Sequence, residues 1–394
     1  MKTANKIKFL DLGKQPIANN FLETDEINSE YFYNLSVCFD VETSLISLEK
    51  FVEPEKMFND AYVYRASMSE TMKRHFRILS GEIKKKYKAN KILEIGSNDG
   101  VFIKNFPKNT TYAVEPCRNF SDLTNSLGYK TYNRFWNYSL SEEIVRKNGK
   151  MDLVFSANCM CHIQDIEDAF DAVKNVIHEE GVFIFEDPSL LSMIERGSYD
   201  QIYDEHAHIF SITALSNILE RRGLEIFDVE SLNVHGGSNR VYVSKKGKNK
   251  ISDSVREVLK KEKQLKLDNI ETFQNFAKRV EQSKIQLVNM LKELKRKGNK
   301  IISYGATSKS TTVFNYCNID TRLIDYIVDT TPEKQNKLSP GMRIPVISPE
   351  EGIDDSVDYA FLGAWNFEKE IINKEKEFLK KSKFITHVPY VRFL

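Results

Sequence analysis

Paired cysteines are missing from this chain. Its five, Cys38, Cys117, Cys159, Cys161 and Cys317, are odd in number and never stand at a CxxC spacing, which is unlike a secreted disulfide framework or a zinc cluster. A reducing compartment fits best. Long apolar runs are missing as well: no stretch approaches the roughly 20 residues needed to span a bilayer, and the opening MKTANKIKFLDLG has no signal-peptide apolar segment. Nor is there charge of one sign. Lys+Arg 57 stand against Asp+Glu 56, a net charge of +1, so no overall field gathers phosphate polymers or presses the chain onto an anionic membrane. The expectation is a cytoplasmic protein with no nucleic acid and no membrane as partner. The 41% hydrophobic and 29% charged residues are globular values, and 394 residues predict several cores rather than one.

Residues 1–75 mix aromatics with short strand-like pieces (NLSVCF, SLISLEKFV), which predicts a small accessory domain. Met72, Phe76, Leu79 and Ile83 recur at helical spacing, so a helix leads onward. Residues 76–250 then alternate: KILEIG, TTYAVEP, MDLVFSAN and EGVFIFEDP read as strands, with helical stretches between several, notably IEDAFDAVKNVIHEE. Alternation of this kind predicts a parallel sheet with its ligand edge at the strand C-termini. LEIFDVESL and RVYVSKK extend that sheet. Residues 251–297 predict a helical connector. Residues 298–394 alternate again, with NKIISYGA, LIDYIVD, DYAFLGAW and KFITHVP as strands and helices after the first and third. The fold class expected is α/β, and no internal repeat is visible.

In KILEIGSNDG a buried strand runs into Gly96, Ser97, Asn98, Asp99 and Gly100 and then into an apolar helix start, VFIKNF. Glycines let backbone pass close to a ligand, and a short polar turn leaves amides free. The middle glycine of a dinucleotide GxGxxG is absent, which favours S-adenosylmethionine over NAD. Glu115 closes the second strand where an acid commonly accepts from ribose hydroxyls. Glu94 ends the first strand and either fixes the loop or meets the donor's amino group. Asn158 and His162 lie just beyond the third strand, lining the pocket or bonding loop backbone.

The segments LGKQPIANNF, EIGSNDG, NCMCHIQDI, YDQIYDEHAHIFS, HGGSNR, YGATSKSTTVFNY, PGMRIPV and AWNF, in that order, resemble the S-adenosylmethionine-dependent sugar C-methyltransferases that act on nucleotide-linked keto-deoxysugars. The resemblance covers nearly the whole chain. It implies a small N-terminal domain, a central Rossmann-like class I methyltransferase domain and a C-terminal Rossmann-like α/β domain, with the sugar nucleotide between the last two. It also implies that the YxEH element supplies the general base, here Tyr203, Glu205 and His206, with His206 the base. One departure concerns zinc: the family's N-terminal domain binds it through two cysteine pairs, whereas no cysteine precedes Cys38 and Val41 stands where a CxxC partner would. No structural zinc is expected, and the small domain must hold by apolar packing or by docking on the central domain. A second departure is Asp204, where relatives often show His.

Methylating a carbon beside a carbonyl requires removing an unactivated proton by a base whose pKa lies near working pH. Histidine fits, and Glu205 is placed to orient the ring or stabilise its cation. Tyr203, His208 and His235 are candidate donors to the enolate oxygen. A metal held by His206 and His208 competes with this reading, without an evident third ligand. HGGSNR offers Gly237, Ser238 and Arg240 for an oxygen-rich ligand, or is a tight turn. Tyr304, Gly305, Ser308, Lys309 and Ser310 lie between a strand and a helix start, where a diphosphate can sit. Trp365, Asn366 and Phe367 contact a nucleotide base or pack beneath a helix. The competing functions are O-methylation of a sugar hydroxyl, a nicotinamide-dependent oxidoreductase, and an inactive sugar-nucleotide-binding protein. Oligomeric state is open between monomer and homodimer.

Overall fold

The computed structural model describes residues 5–394 and builds three sheets. The central one has seven strands in the order Leu224–Leu232, Ser238–Lys245, Ile177–Pro188, Met151–Ala157, Ile92–Ile95, Thr111–Val114, Lys130–Tyr132. Its last five strands are parallel, and the two C-terminal strands join as an antiparallel hairpin. The C-terminal sheet orders Val346–Ile347, Ile327–Val328, Ile301–Tyr304, Tyr359–Leu362, Lys383–Thr386 and Arg392–Phe393, parallel except for the final pair. All ten strands expected in the two halves form, and the helix announced by Met72, Phe76, Leu79 and Ile83 spans Glu70–Lys86 with those four side chains buried. Ser69 caps it by accepting from the Met72 amide.

Two local expectations are corrected. VFIKNF opens no α-helix: only a 3-10 turn forms at Ile103–Asn105. Pro107 comes at once and the next strand begins at Thr111, too little chain for a helix beyond a residue with no N–H. The helix expected through IHEE stops at Val176, and Ile177 begins a strand that runs to Pro188.

Between the halves lie two helices, Asp253–Gln264 and Ile270–Arg296, and the longer one buries Phe273, Phe276, Val280, Leu287, Leu291 and Leu294. Phe273 meets Phe9 and Phe39 of the small N-terminal sheet, each at 5.2 Å between ring centroids. That sheet, Lys6–Pro16, Phe32–Asp40 and Ile46–Leu48, takes its fourth strand, His208–Ile209, from the middle of the chain. Docking continues on the C-terminal side. Leu22 pairs with Leu338, the Gly341 amide donates to Glu30 at 2.6 Å, and Arg343 meets Glu30 at 3.0 Å. The N-terminal domain therefore rests on both larger halves, and one apolar cluster runs through all three sheets. A zinc ion does not fit it. Cys38 is the one cysteine among described residues up to 58, and among the described residues no set of potential ligands gathers around it. Among the described residues no helix is long and apolar enough to cross a membrane.

Candidate active site

A cavity of about 680 Å³ is lined from all three parts of the chain. On the central side the strand Ile92–Ile95 ends at Gly96, whose φ of +73° and whose distance to Cys159, 2.5 Å from a notional Cβ to Sγ, exclude any side chain. The Gly96 amide donates to the Val114 carbonyl at 2.8 Å, closing the turn against the next strand. Glu115 comes next, and its carboxylate accepts from the Asn98 amide at 2.7 Å and the Cys117 amide at 2.9 Å. Burial raises its pKa, and those two amides oppose the rise. A carboxylate so held keeps a lone pair on each oxygen for hydroxyls in the cavity.

Glu94 also faces the cavity, its Oε2 buried and without a partner, and burial drives its pKa well up. The Ser97 hydroxyl is likewise buried and unpaired. Asn158 lines the same wall in the left-handed region, φ +48°. Asn98 lines it too, but its side chain works as a fastener: Oδ1 accepts from the Ala66 amide at 2.9 Å and Nδ2 donates to the Tyr64 carbonyl at 2.9 Å. The segment around Tyr64 is thereby strapped over the pocket. Asp99 and Gly100 are not on the cavity wall. Asp99 Oδ2 accepts from the Ser67 amide at 3.3 Å, and Gly100 packs against Thr124, whose Cγ2 would lie 2.8 Å from a Cβ.

Opposite stands the YDEH element. His206 is buried, and its Nδ1 lies 2.6 Å from the Gln201 carbonyl. A carbonyl only accepts, so Nδ1 carries the proton and the neutral ring presents Nε2 as acceptor. The hydroxyl of Tyr203 lies 2.8 Å from that Nε2. Burial, then the neighbouring His162 and Lys309, pull His206 well below its ordinary pKa, so the ring is neutral and a weaker base than the near-neutral one expected from the sequence. Tyr203 is pushed well up by burial and by Glu205. His162 stacks between Phe58 and His206, 5.4 Å from each, with Nε2 unpaired and its pKa pushed down to about 3 by burial.

Several expected roles do not survive the geometry. Glu205 does not orient His206: its carboxylate accepts from Asn19 Nδ2 at 2.6 Å and the Tyr62 hydroxyl at 3.0 Å. His208 lies off the cavity wall, with Nδ1 2.9 Å from Ser47 Oγ and Nε2 3.1 Å from the Gln164 carbonyl. It belongs to the strand that completes the small sheet. Arg240 also turns elsewhere, donating to Glu186 and Glu230 at 2.7 Å each. Ser238 donates to the Val234 carbonyl, and Gly237 packs on Ser192, 2.6 Å from its notional Cβ. Trp365 is buried off the wall, its indole N–H donating to Asp200 at 2.5 Å. Ser310 is consumed in a capping box with Thr307.

His235, Tyr304, Gly305, Ser308, Lys309, Asn366 and Phe367 do line the cavity. His235 Nε2 is unpaired, and burial with Lys309 pushes its pKa down to about 4. Lys309 sits with its ammonium 6.0 Å from the Tyr203 ring centroid, and burial lowers its pKa. Sequence reasoning passed over Asn19, Tyr62, Asp329 and Lys334, all on the wall. The metal alternative changes partners, since Cys161, His162 and His206 bring ligand atoms within 4.8 Å of one another. The two imidazoles, however, are stacked only 24° from parallel, so their in-plane lone pairs do not converge on one ion.

A parallel sheet, a glycine turn, an acid ending the second strand and unpaired polar atoms behind it suit the adenosyl and amino-acid parts of S-adenosylmethionine. Residues 64–229 match the family described as a methyltransferase domain. The protein is an S-adenosylmethionine-dependent methyltransferase. Residues 233–389 match the C-methyltransferase C-terminal domain, and residues 2–58 match a zinc binding domain family. The C-methyltransferase NovU of Streptomyces niveus is 30% identical over 393 residues, covering 98% of this chain and 93% of that protein. Solved structures similar to part of the chain include an S-adenosylmethionine-dependent methyltransferase from Clostridium acetobutylicum, 17% identical over 46% of this chain and 94% of that one, TM-score 0.35. The CcbJ methyltransferase of Streptomyces caelestis is 12% identical over 44% and 90%, TM-score 0.33. The chain belongs to the C-methyltransferase family.

Proposed function

We propose that the enzyme methylates a carbon next to the carbonyl of a keto-deoxysugar carried on a nucleoside diphosphate, with His206 as the final proton acceptor. The observation that carries this is the fixed tautomer of His206: Nδ1 is engaged by Gln201 and Nε2 accepts from Tyr203. That tautomer defines the proton path. The substrate's α-proton passes to the Tyr203 oxygen as that hydroxyl's own proton passes to His206 Nε2, leaving neutral Tyr203, an imidazolium and the substrate enolate. His235, with Nε2 unpaired, and Lys309 line the cavity and are the proposed donors to the enolate oxygen. S-adenosylmethionine, when bound, supplies an electrophilic methyl group.

Residues 1–75 brace this site, residues 76–250 hold the donor with Glu94, Gly96, Asn158 and Glu115, the helices of residues 251–297 join the halves, and residues 298–394 hold the nucleotide-linked acceptor. O-methylation would need no carbon-bound proton removed. Incubation with a panel of dTDP-, GDP- and CDP-linked keto-deoxysugars, with mass and NMR analysis of products, tests the reading. A methyl on carbon adjacent to the carbonyl is expected, and a methyl on oxygen would contradict it.

A further inference from the structure

The C-terminal half repeats the main hydrogen bonds of the donor turn, with the first amide-to-carboxylate bond shifted by one residue. In the central half the Gly96 amide donates to Val114, and the residue after Val114, Glu115, accepts from the Asn98 and Cys117 amides. In the C-terminal half the strand Ile301–Tyr304 ends at Gly305, φ +97°, and the Gly305 amide donates to Val328 at 2.8 Å, the same distance. The residue after Val328 is Asp329. Its carboxylate accepts from the Ala306 amide at 2.7 Å, across the turn, and from the Thr331 amide at 2.8 Å, two residues on, as Glu115 does from Cys117. The third strand matches as well. Met151–Ala157 brings Cys159 against Gly96, and Tyr359–Leu362 brings Ala364 to 3.0 Å from a notional Cβ on Gly305. Both strand trios are parallel in the same order, with the glycine strand in the middle.

Asp329 lines the common cavity, and Lys334 stands behind it, donating to the Ala306 carbonyl at 2.7 Å. Each Asp329 oxygen has one lone pair left after its amide. The same construction therefore presents the same acceptor pair to the cleft from its opposite side. We propose that Asp329 is a second hydroxyl-binding carboxylate, which takes the pentose hydroxyls of the nucleoside diphosphate that carries the acceptor sugar. This rests on the proposed nucleotide-linked substrate and adds which residue reads the pentose.

Calorimetry on the full chain with dTDP, GDP, UDP and CDP, and separately with S-adenosylhomocysteine, tests it. Asp329→Asn is expected to weaken the preferred diphosphate by roughly tenfold or more, as loss of hydrogen bonds to a charged acceptor does, while S-adenosylhomocysteine binds as before. Glu115→Gln is expected to do the reverse. Because Asp329 also ties its turn, the unmodified enzyme gives a second readout: the 2′,3′-dideoxy form of the preferred diphosphate should bind roughly tenfold or more weakly. Equal binding of the hydroxylated and dideoxy forms overturns the role of Asp329 and leaves the proposed substrate class standing. Binding of none of the four diphosphates to the unmodified enzyme overturns the substrate class, and the role of Asp329 with it.

Discussion

The central and C-terminal halves share a turn and differ in charge. From the central sheet the cavity receives Glu94 and Glu115 and no lysine or arginine between residues 94 and 206, whereas the C-terminal half contributes Lys309, Lys334 and Lys374 beside Asp329 and Glu370. A donor with a positive sulfur suits the first wall, and an acceptor bearing a diphosphate suits the second. The chain beyond each turn also differs. After Gly96 comes only a 3-10 turn, whereas after Gly305 comes a capped helix, Ser308–Cys317, that carries Lys309 in its first turn. On the proposed reading, one turn design serves two grips, each built around its own carboxylate, Glu115 in one and Asp329 in the other.

The largest effect should come from the groups between the two grips. His206→Ala and Tyr203→Phe are each expected to lower methyl transfer by about 10²–10⁴-fold with S-adenosylhomocysteine affinity unchanged, read by turnover and calorimetry. Equal loss in both variants supports proton passage through Tyr203; full activity in Tyr203→Phe would remove it from the path. Next in size are the glycines. Gly96→Ala places a Cβ 2.5 Å from the Cys159 sulfur at positive φ, and Gly305→Ala places one 3.0 Å from the Ala364 Cβ. The first should cost about 1–3 kcal/mol and abolish donor binding, the second less, with donor binding kept, as thermal unfolding and calorimetry would report.

Smaller again is Asn19→Ala. Asn19 reaches Glu205 from the N-terminal domain, and its loss leaves a buried carboxylate short of a donor, at about 1–3 kcal/mol of stability. A pH effect of similar size is expected from Asp187, buried at 3% exposure, whose carboxyl burial pushes up to about 7. A folded-state pKa above the unfolded value means that the folded chain binds more protons between about pH 4 and 7, so stability falls as pH rises through that window. The unfolding midpoint should be higher at about pH 5 than at about pH 8, and Asp187→Asn should shrink the difference. The smallest expected effect is none: a chelator should leave the unfolding midpoint unchanged, since Cys38 has no companion ligands among the described residues.

Much of the fold and site was legible in the sequence because strand, turn and acid arrive in order. KILEIGSNDG with Glu115 about twenty residues on predicts the glycine turn and acid that lie together on the cavity wall, and YDEH contains the tyrosine and histidine that the structure brings to 2.8 Å. Failures cluster where contacts come from far away. Glu205 looks like a partner for its neighbour His206, yet Asn19 and Tyr62, 186 and 143 positions earlier, take it. His208 and Arg240 carry suggestive chemistry, but each sits in a strand whose cross-strand partners consume it, Ser47 in one case and Glu186 in the other. The repeat between the halves is invisible to inspection because it lies in backbone hydrogen bonds; SYGATS and LIDYIVD look little like EIGSNDG and TTYAVEP. Asp329 could have been found all the same, since it ends its strand as Glu115 ends the other.

Hydrogen exchange at the substrate carbon tests the central claim most directly. With S-adenosylhomocysteine in the donor site and a nucleotide-linked keto-deoxysugar in D2O, NMR should show the α-proton replaced by deuterium in the unmodified enzyme and retained with His206→Ala. An enzyme that methylates this substrate while His206→Ala exchanges at the unmodified rate would contradict the account.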